Sequence, residues 1–295
     1  MAFRAGFVGV VGRPNVGKSS IVNRLVGRKV TIVSDKPQTT RIAVRGVATT
    51  QTHQLVFVDT PGLHKPRTPL GERLNQRVAE GVSDVDVMLL VVDAASGVGR
   101  GDAFVAGHEV SAFAGTRICA VNKIDLLKRG AVVPQLEAAA GLAGFDHVVP
   151  VSAASGAGLP ELSELLASSV PEGPPLFPAD EATDLPLERR IEEIVREKAL
   201  AVAREELPHS IATRVEEIEV DEEADIARVA VSLFVERSSQ KGILVGRGGA
   251  TVKRVGTLAR PELEALLARH VFLDLRVKVL REWQRDPSAL DRLGL

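Results

Sequence analysis

The eight residues "GRPNVGKS", at positions 12–19, constrain the fold of this chain more than any other stretch. They match the pattern G-x-x-x-x-G-K-S/T, follow the apolar run Gly6–Val11 and precede "SIVNRLVG", which has helical spacing. A glycine-rich turn between a strand and a helix lets successive backbone N–H groups surround a phosphate. Lys18 is expected between the β- and γ-phosphates, and the Ser19 hydroxyl on Mg²⁺. The predicted loop residues are Gly12, Arg13, Pro14, Asn15, Val16, Gly17, Lys18, Ser19 and Ser20.

A second stretch, "VDTPG" at residues 58–62, ends a predicted strand and supplies the other half of a phosphate and metal site. Asp59 can join the Mg²⁺ shell, because a carboxylate oxygen is a ligand that this cation prefers. The N–H of Gly62 can meet the γ-phosphate, with Thr60 and Pro61 between the two functional positions. The spacing therefore predicts binding of a nucleoside triphosphate.

Two later stretches, "NKID" at residues 122–125 and "SAASG" at residues 152–156, indicate which base is bound. Asp125 can accept hydrogen bonds from the paired N1–H and N2–H₂ donors of guanine, which adenine lacks. A backbone N–H of "SAASG" can reach the guanine O6. We therefore predict GTP, not ATP, as the substrate and GDP as the product. The residues expected at the base are Asn122, Lys123, Asp125, Ser152, Ala153 and Ala154.

Short apolar runs alternate with helix-length segments through the first 170 residues. Nearly continuous valine, leucine and isoleucine is typical of strands buried on both faces, as in a parallel sheet covered by helices. We predict an α/β P-loop domain over residues 1–170, with a mixed, mostly parallel sheet. The predicted strands are Gly6–Val11, Leu55–Val58, Val87–Val92, Arg117–Val121 and Val148–Val151, and the predicted helices include Leu70–Val82, Ala131–Leu142 and Leu159–Ser168.

The segment "VPEGPPLFPADEATDLP", residues 170–186, holds five prolines and predicts an extended, acidic linker over residues 171–186. Beyond it, residues 187–295 follow the order helix, strand, strand, helix, helix, strand. This order predicts a second, smaller α+β domain.

A second glycine cluster lies in "GILVGRGGATVKR", residues 242–254. It fails the spacing of a phosphate loop and of a dinucleotide loop, both at Thr251. The four residues "GRGG" instead fit G-x-x-G between two helices, the arrangement in which a KH domain clamps single-stranded nucleic acid. We expect Ile243, Leu244 and Val245, with Val231 and Leu233, to form a shallow floor for bases. The predicted RNA contacts are Gly242, Ile243, Val245, Gly246, Arg247, Gly248, Gly249, Lys253 and Arg254.

The net charge of −1 hides an uneven distribution. Residues 179–226 hold 16 Asp or Glu against 6 Lys or Arg, whereas residues 238–285 hold 10 Lys or Arg against 4 Asp or Glu. A basic stretch around the second glycine cluster favours a polyanionic partner, although such a run is also typical of a solvated helix face. The single Cys119 has no partner for an internal disulfide, and we expect a cytoplasmic protein without a signal peptide or membrane-spanning helix.

Together the nucleotide motifs resemble those of the translation-factor-related GTPases, and "PQTTR" at residues 37–41 is similar to their switch I. This resemblance implies that Thr40 reaches Mg²⁺ and the γ-phosphate, with Thr39 as the alternative. Where some GTPases carry a water-positioning glutamine, this chain has Leu63 and then His64, so neither side chain is assigned as a general base. The resemblance further implies a K⁺ ion near the asparagine of the first loop; the alternative is that this asparagine only shapes the loop. The assigned residues are Asn15, Lys18, Thr40 and Gly62 for catalysis, and Ser19, Thr40 and Asp59 for Mg²⁺.

Nearly the whole chain resembles the bacterial Era family, GTPases with a C-terminal type II KH domain. The segments "ERSSQKGILVGRGG" and "LREWQRDPSALDRLG" carry the resemblance in the second half. It implies a monomer that binds the single-stranded 3′ region of small-subunit ribosomal RNA, assists assembly and maturation of the 30S particle, and contacts the membrane peripherally. The "GRGG" loop is poorer in lysine than the family's usual loop. The alternative function is a membrane-associated signalling or cell-cycle GTPase whose C-terminal domain binds protein.

Overall fold

The computed structural model describes residues 2–36, 39–62, 68–128, 130–203 and 207–295, except for the side chains of residues 208 and 209. The chain divides into two compact units, one built mainly from residues before 185 and the other mainly from residues 185–295. Each unit has a hydrophobic core of its own.

The first unit is built on a six-stranded sheet with the strand order β2-β3-β1-β4-β5-β6. All neighbouring strands are parallel except β2 and β3, which are antiparallel. The prediction of a mixed, mostly parallel sheet is therefore confirmed. The strands are β1 (Arg4–Val11), β2 (Val44–Thr49), β3 (His53–Asp59), β4 (Val87–Asp93), β5 (Thr116–Asn122) and β6 (His147–Pro150).

Helices cover both faces of this sheet because its central strands are apolar on both sides. Along β4 every residue is buried; Leu89 and Val91 face one core and Met88 and Leu90 face the other. A π-helical turn continues α3 through Ala106–Val110. The helices are α1 (Lys18–Val26), α2 (Pro69–Gly81), α3 (Arg100–Val105), α4 (Val132–Ala140) and α5 (Leu159–Ser169).

The proline-rich segment lies along the β2–β3 edge of the sheet. The backbone N–H of Val47 donates to Ala182 O at 2.8 Å, and Oε1 of buried Gln54 accepts from the N–H groups of Leu176 and Phe177. The segment is extended, as its composition indicates, and up to residue 184 it belongs to the first unit.

The second unit has a three-stranded sheet in the order β7-β8-β9, with β7 antiparallel and β9 parallel to the central strand. The predicted order of helix, strand, strand, helix, helix, strand is confirmed, and an additional short helix follows at the end of the chain. The elements are α6 (Leu187–Val202), β7 (Ala212–Asp221), β8 (Ile226–Val235), α7 (Ser238–Val245), α8 (Ala250–Leu267), β9 (His270–Val279) and α9 (Pro287–Leu293).

One expectation about this unit is wrong. Val231, Leu233 and Leu244 do not form a floor for bases, because each is at most 1% exposed and lies in the core. Successive strand residues alternate between the two faces, and the face of β8 that carries these valine and leucine side chains packs against the helices. Among the described residues, no helix is long and apolar enough to cross a bilayer.

Candidate functional site

The first glycine loop connects β1 to α1 at the carboxyl end of the parallel strands, where ligands of open α/β sheets bind. Gly12 (φ +152°), Asn15 (φ +65°) and Gly17 (φ +100°) all have left-handed backbone conformations. A Cβ at Gly17 would collide with the side-chain amide of Asn122. Glycine is therefore required at this position for two reasons, its backbone angle and the approach of a neighbouring motif.

Lys18 lies at the centre of this loop with its ammonium group turned toward the backbone. Its Nζ donates to Gly12 O at 3.0 Å and to Arg13 O at 3.1 Å. Burial lowers the pKa of Lys18 to about 8, and the nearby Asp59 carboxylate opposes this shift. The ammonium group is thus held where phosphate oxygens would replace the loop carbonyls as its partners.

The predicted metal ligands come together beside this lysine. The Ser19 hydroxyl donates to Asp59 Oδ2 at 2.7 Å and lies 3.1 Å from Thr40 Oγ1. Thr31, which sequence analysis did not identify, also donates to Asp59 Oδ2, at 2.9 Å. Burial raises the pKa of Asp59, and hydrogen bonds from Ser19 and Thr31 act in the opposite direction.

This donor set fits a small, hard cation. Asp59 is fully buried, and its Oδ1 has no hydrogen-bond partner among the described residues. Two hydroxyl oxygens extend this group, because Ser19 Oγ contacts both Asp59 Oδ2 and Thr40 Oγ1. Such oxygen-only donors are those preferred by Mg²⁺. Of the threonine pair, it is Thr40 whose hydroxyl meets Ser19.

The strand-end motif around Gly62 packs against the first loop. The Thr60 hydroxyl donates to Val10 O at 2.8 Å, which ties the motif to β1. A Cβ at Gly62 would lie 2.7 Å from Pro14 N and 2.8 Å from its Cα. Close approach of the two backbones therefore requires glycine here, and Pro61 is buried beside it. Leu63 and His64 lie outside the described residues.

The "NKID" motif holds the phosphate loop in place through side-chain hydrogen bonds to its backbone carbonyls. Asn122 donates through Nδ2 to Val16 O at 2.8 Å, and its Oδ1 accepts from Ala153 N at 3.0 Å. Lys123 donates to Asn15 O at 2.8 Å and pairs with Asp93 at 2.7 Å. In this structure these two residues hold the loops of the site together.

The remaining base motif is organised around Asp125 and Ser152. The Ser152 hydroxyl donates to Asp125 Oδ1 and also accepts from Ser155 N, which orients the carboxylate. Because Ala153 N is used by Asn122, the Ala154 N–H is the donor left for a guanine O6, and it has no hydrogen bond in the described part of the chain.

Arg24 holds the "SAASG" loop in place, although no sequence motif points to this arginine. Its Nε donates to Ala153 O at 2.9 Å and its Nη2 to Ala154 O at 2.8 Å. A comparable tie holds the first loop, where Arg13 pairs with buried Asp102 at 2.7 Å. The structure thus brings the four nucleotide motifs together around the first loop and adds Thr31, Arg24 and Asp102 as supports.

The second glycine cluster joins α7 to α8, as predicted. Gly246 has φ +74° and ψ +172°, a conformation essentially restricted to glycine, and a Cβ there would collide with Thr251. Gly248 (φ +58°) and Gly249 (φ +81°) are left-handed, but nothing lies within 4 Å of a Cβ at either position. The loop therefore packs against α8 at Gly246, whereas free space adjoins it at Gly248 and Gly249.

The side chains predicted to contact RNA around this loop are accessible. Arg247, Lys253 and Arg254 are exposed, and none has an ion pair within the described ranges. Ile243 is 53% exposed, an unusual fraction for isoleucine, and Val245 is half-buried. Exposed cations beside an exposed apolar side chain fit a nucleic-acid strand, which offers both phosphates and base faces.

Comparisons with known proteins agree with this geometry. Residues 7–123 match the family model described as 50S ribosome-binding GTPase, and residues 206–284 match the KH domain model. GTPase Era of Mycobacterium sp. (strain KMS) is 48% identical over 297 residues, and that of Mycolicibacterium smegmatis 47% over 296, each alignment covering 99% of both chains. This chain belongs to the Era family of GTPases.

Solved Era structures share the whole fold. A crystal structure of an Aquifex aeolicus Era variant bound to GDP·AlF₄⁻ matches with a TM-score of 0.95 and 37% identity, covering 99% of each chain. Era in complex with MgGDPNP and nucleotides 1506–1542 of 16S ribosomal RNA matches with the same TM-score, identity and coverage. The resemblance to the Era family and the predicted fold class are therefore confirmed.

Proposed function

We propose that this chain is a GTP-hydrolysing switch that binds the 3′ region of small-subunit ribosomal RNA and assists assembly and maturation of the 30S subunit. The observation that carries the proposal is its likeness, over 99% of both chains, to an Era structure that contains MgGDPNP and a 16S ribosomal RNA segment. The accessible cations around the "GRGG" loop support the RNA half of the proposal.

On binding GTP, Lys18 exchanges the carbonyls of Gly12 and Arg13 for phosphate oxygens. Ser19, Thr40 and Asp59 would hold Mg²⁺, which when bound neutralises charge that develops on the phosphates. Because the Thr40 hydroxyl already meets Ser19, switch I needs only a small movement to reach the metal shell. The Gly62 N–H binds the γ-phosphate, so loss of that phosphate releases the segment that follows.

Two groups would recognise the guanine base: the Asp125 carboxylate, which Ser152 orients by a hydrogen bond, and the Ala154 N–H. The carboxylate accepts from the two guanine donors and the N–H donates to O6. An adenine has neither of these donors, so it forgoes two hydrogen bonds to a charged group, each worth about 1.5–3 kcal/mol.

For hydrolysis we propose that K⁺ binds beside Asn15 and supplies the positive charge that other GTPases obtain from an arginine. The left-handed backbone of Asn15 and the bond from Lys123 to its carbonyl hold this residue in a defined conformation at the phosphate loop. GTP turnover should rise when K⁺ replaces Na⁺ at constant ionic strength. Equal turnover in the two salts would rule out a K⁺ site.

RNA binding is assigned to the "GRGG" loop. Gly248 and Gly249 let the sugar-phosphate backbone come close, while Arg247, Lys253 and Arg254 attract phosphates. An aspartate at Gly249 fits the space available, yet it adds a negative charge where a phosphate should lie.

The test is fluorescence anisotropy with a labelled single strand that matches the 3′ end of small-subunit ribosomal RNA. Wild-type protein should bind with a steep salt dependence, and the double variant Gly246→Asp/Gly249→Asp should lose binding while GTP turnover persists. If wild type and double variant bind alike, the second unit is not an RNA clamp. That result would favour a membrane-associated signalling GTPase whose C-terminal domain binds protein.

We further propose a monomeric cytoplasmic protein that contacts the membrane peripherally, with domains at residues 1–170 and 187–295 joined by residues 171–186. Light scattering checks the monomer, and flotation with phosphatidylglycerol vesicles checks the membrane contact. A fragment ending at Asp184 should retain GTP binding, because the segment before it is bonded to β2 and β3.

A further inference from the structure

A pocket of 610 Å³ lies in the second unit, at the end of α7 that is opposite the "GRGG" loop. Two chain segments form it, the junction between β8 and α7 and the turn that follows β9. Its lining residues are Glu236, Arg237, Ser238, Arg281, Glu282 and Arg285.

The three arginines of this pocket, all in the described part of the chain, form no ion pair with the two glutamates that also line it. Within the described ranges, Arg237, Arg281 and Arg285 have no side-chain hydrogen bond or ion pair. Elsewhere in the unit, arginines do pair with nearby carboxylates: Arg189 with Glu192 and Arg276 with Asp274, each at 2.7 Å. Three unpaired guanidinium groups around one concavity point to an anionic ligand.

The turn that carries two of these arginines is held firmly. Trp283, between them in sequence, is fully buried, and its Nε1 donates to Ser210 O at 3.0 Å. Leu280 N donates to Val235 O at 2.9 Å, which ties the end of β9 to the end of β8. The guanidinium groups therefore project from a fixed backbone, which lowers the entropy lost when they bind.

We infer that this pocket binds phosphates of the RNA backbone as a second contact region. The inference rests on the proposed function and extends it from the "GRGG" loop to the far end of α7. Eight helical residues span about 12 Å, so one RNA molecule held at the loop can reach the pocket. The arginine fork binds phosphate through two parallel hydrogen bonds, and this geometry suits a phosphodiester.

The test compares how the RNA affinity of the full-length wild type and of an arginine variant depends on salt concentration. The triple variant Arg237→Gln/Arg281→Gln/Arg285→Gln is measured against wild type, with the labelled 3′-region RNA as probe and KCl varied. For single strands each lost phosphate contact reduces the slope of log K against log[KCl] by about 0.7, so the triple variant should have a slope shallower by about 2.

Two controls keep the result interpretable. Arg228→Gln removes an exposed arginine on β8 outside the pocket and should leave the slope unchanged. The emission spectrum of Trp283, the only tryptophan, reports whether the turn is intact in each variant. Single glutamine variants, which disturb the turn less, should each reduce the slope by about 0.7.

An unchanged slope in the triple and single variants would overturn this inference while leaving the RNA clamp at the "GRGG" loop in place. Unchanged slopes together with a loss of binding to phosphatidylglycerol vesicles would assign the pocket to a lipid surface instead. Failure of the wild type itself to bind RNA would overturn the proposed function, and this inference with it.

Discussion

Ser19 and Asp59 are joined by a 2.7 Å hydrogen bond from the serine hydroxyl to Oδ2, 40 residues apart in the chain. The bond links the first turn of α1 to the end of β3, and Thr40 adds its hydroxyl to the same cluster. The motifs "GRPNVGKS" and "VDTPG", which are far apart in the sequence, thus meet as one oxygen-rich group beside Lys18.

The first prediction follows from this cluster. Ser19→Ala removes a proposed metal ligand and should weaken Mg²⁺-dependent GTP binding about 10- to 150-fold, which corresponds to the 1.5–3 kcal/mol of a hydrogen bond to a charged group. Thr31→Val is the matched control, because Thr31 donates to the same Asp59 oxygen without being assigned to the metal. Titration of GTP affinity against Mg²⁺ concentration measures both. Equal losses in the two variants would contradict the assignment of Ser19.

The second prediction concerns the pH dependence of GTP binding. The pKa of Lys18 is lowered to about 8 in the nucleotide-free site, and phosphate contact favours the charged form. The free protein therefore loses this proton as pH rises above 8, and GTP binding must restore it. GTP affinity should fall by up to about tenfold per pH unit above 8.

Titration calorimetry at pH 8.5, in two buffers with different ionisation enthalpies, measures this proton uptake directly. We expect GTP binding at this pH to take up about 0.5 to 1 proton per GTP bound. Lys18→Arg is the control, since its guanidinium stays protonated and should abolish the uptake whatever its effect on affinity. Binding without proton uptake in the wild type would show that Lys18 is fully charged before GTP arrives.

The third prediction tests base recognition. Asp125→Asn replaces an oxygen acceptor by an amide donor, so one guanine donor loses its partner and the charge is lost. GTP affinity should fall about 10²- to 10⁴-fold, from two charge-assisted hydrogen bonds of 1.5–3 kcal/mol each. Xanthosine triphosphate, which has an oxygen at position 2, should bind the variant better than the wild type. Competition against a fluorescent GDP measures both; unaltered preference would exclude Asp125 from the base site.

The fourth prediction separates the glycines of the second loop by their effect on stability. Gly246→Ala should lower the free energy of unfolding by about 1–3 kcal/mol from backbone strain alone, plus the collision with Thr251. Gly249→Ala, where a Cβ meets nothing, should cost only about 1–2 kcal/mol for the left-handed conformation. Urea unfolding followed by Trp283 fluorescence compares them. A larger loss for Gly249→Ala would contradict the loop geometry.

Sequence alone picks out the nucleotide motifs, because phosphate, metal and base chemistry each require particular side chains at strand ends, and the structure places these motifs around the loop between β1 and α1. It does not reveal Thr31 or Arg24. Arg24 acts on carbonyls of a loop that is 129 and 130 residues away, and a backbone acceptor leaves no trace in residue type.

Two details of the fold, strand β2 and the covered face of β8, do not follow from the sequence, for physical reasons. The sequence does not indicate strand β2, because "VRGVAT" is short and interrupted by glycine, and its pairing with β3 is antiparallel in an otherwise parallel sheet. The expected floor for bases is wrong because alternation along β8 separates two faces without indicating which face the helices cover. Val231 and Leu233 lie on the covered face.

The proposed function places a GTP-driven switch and an RNA-binding domain in one chain, and we expect the bound nucleotide to change the affinity for RNA. The most direct test of this expectation is the affinity for 3′-region ribosomal RNA, measured by anisotropy at one salt concentration with either a non-hydrolysable GTP analogue or GDP bound. Coupling of 1–3 kcal/mol between two sites predicts affinities that differ about 5- to 150-fold between the two nucleotide states. Identical affinities in both states would show that the nucleotide site does not control RNA binding.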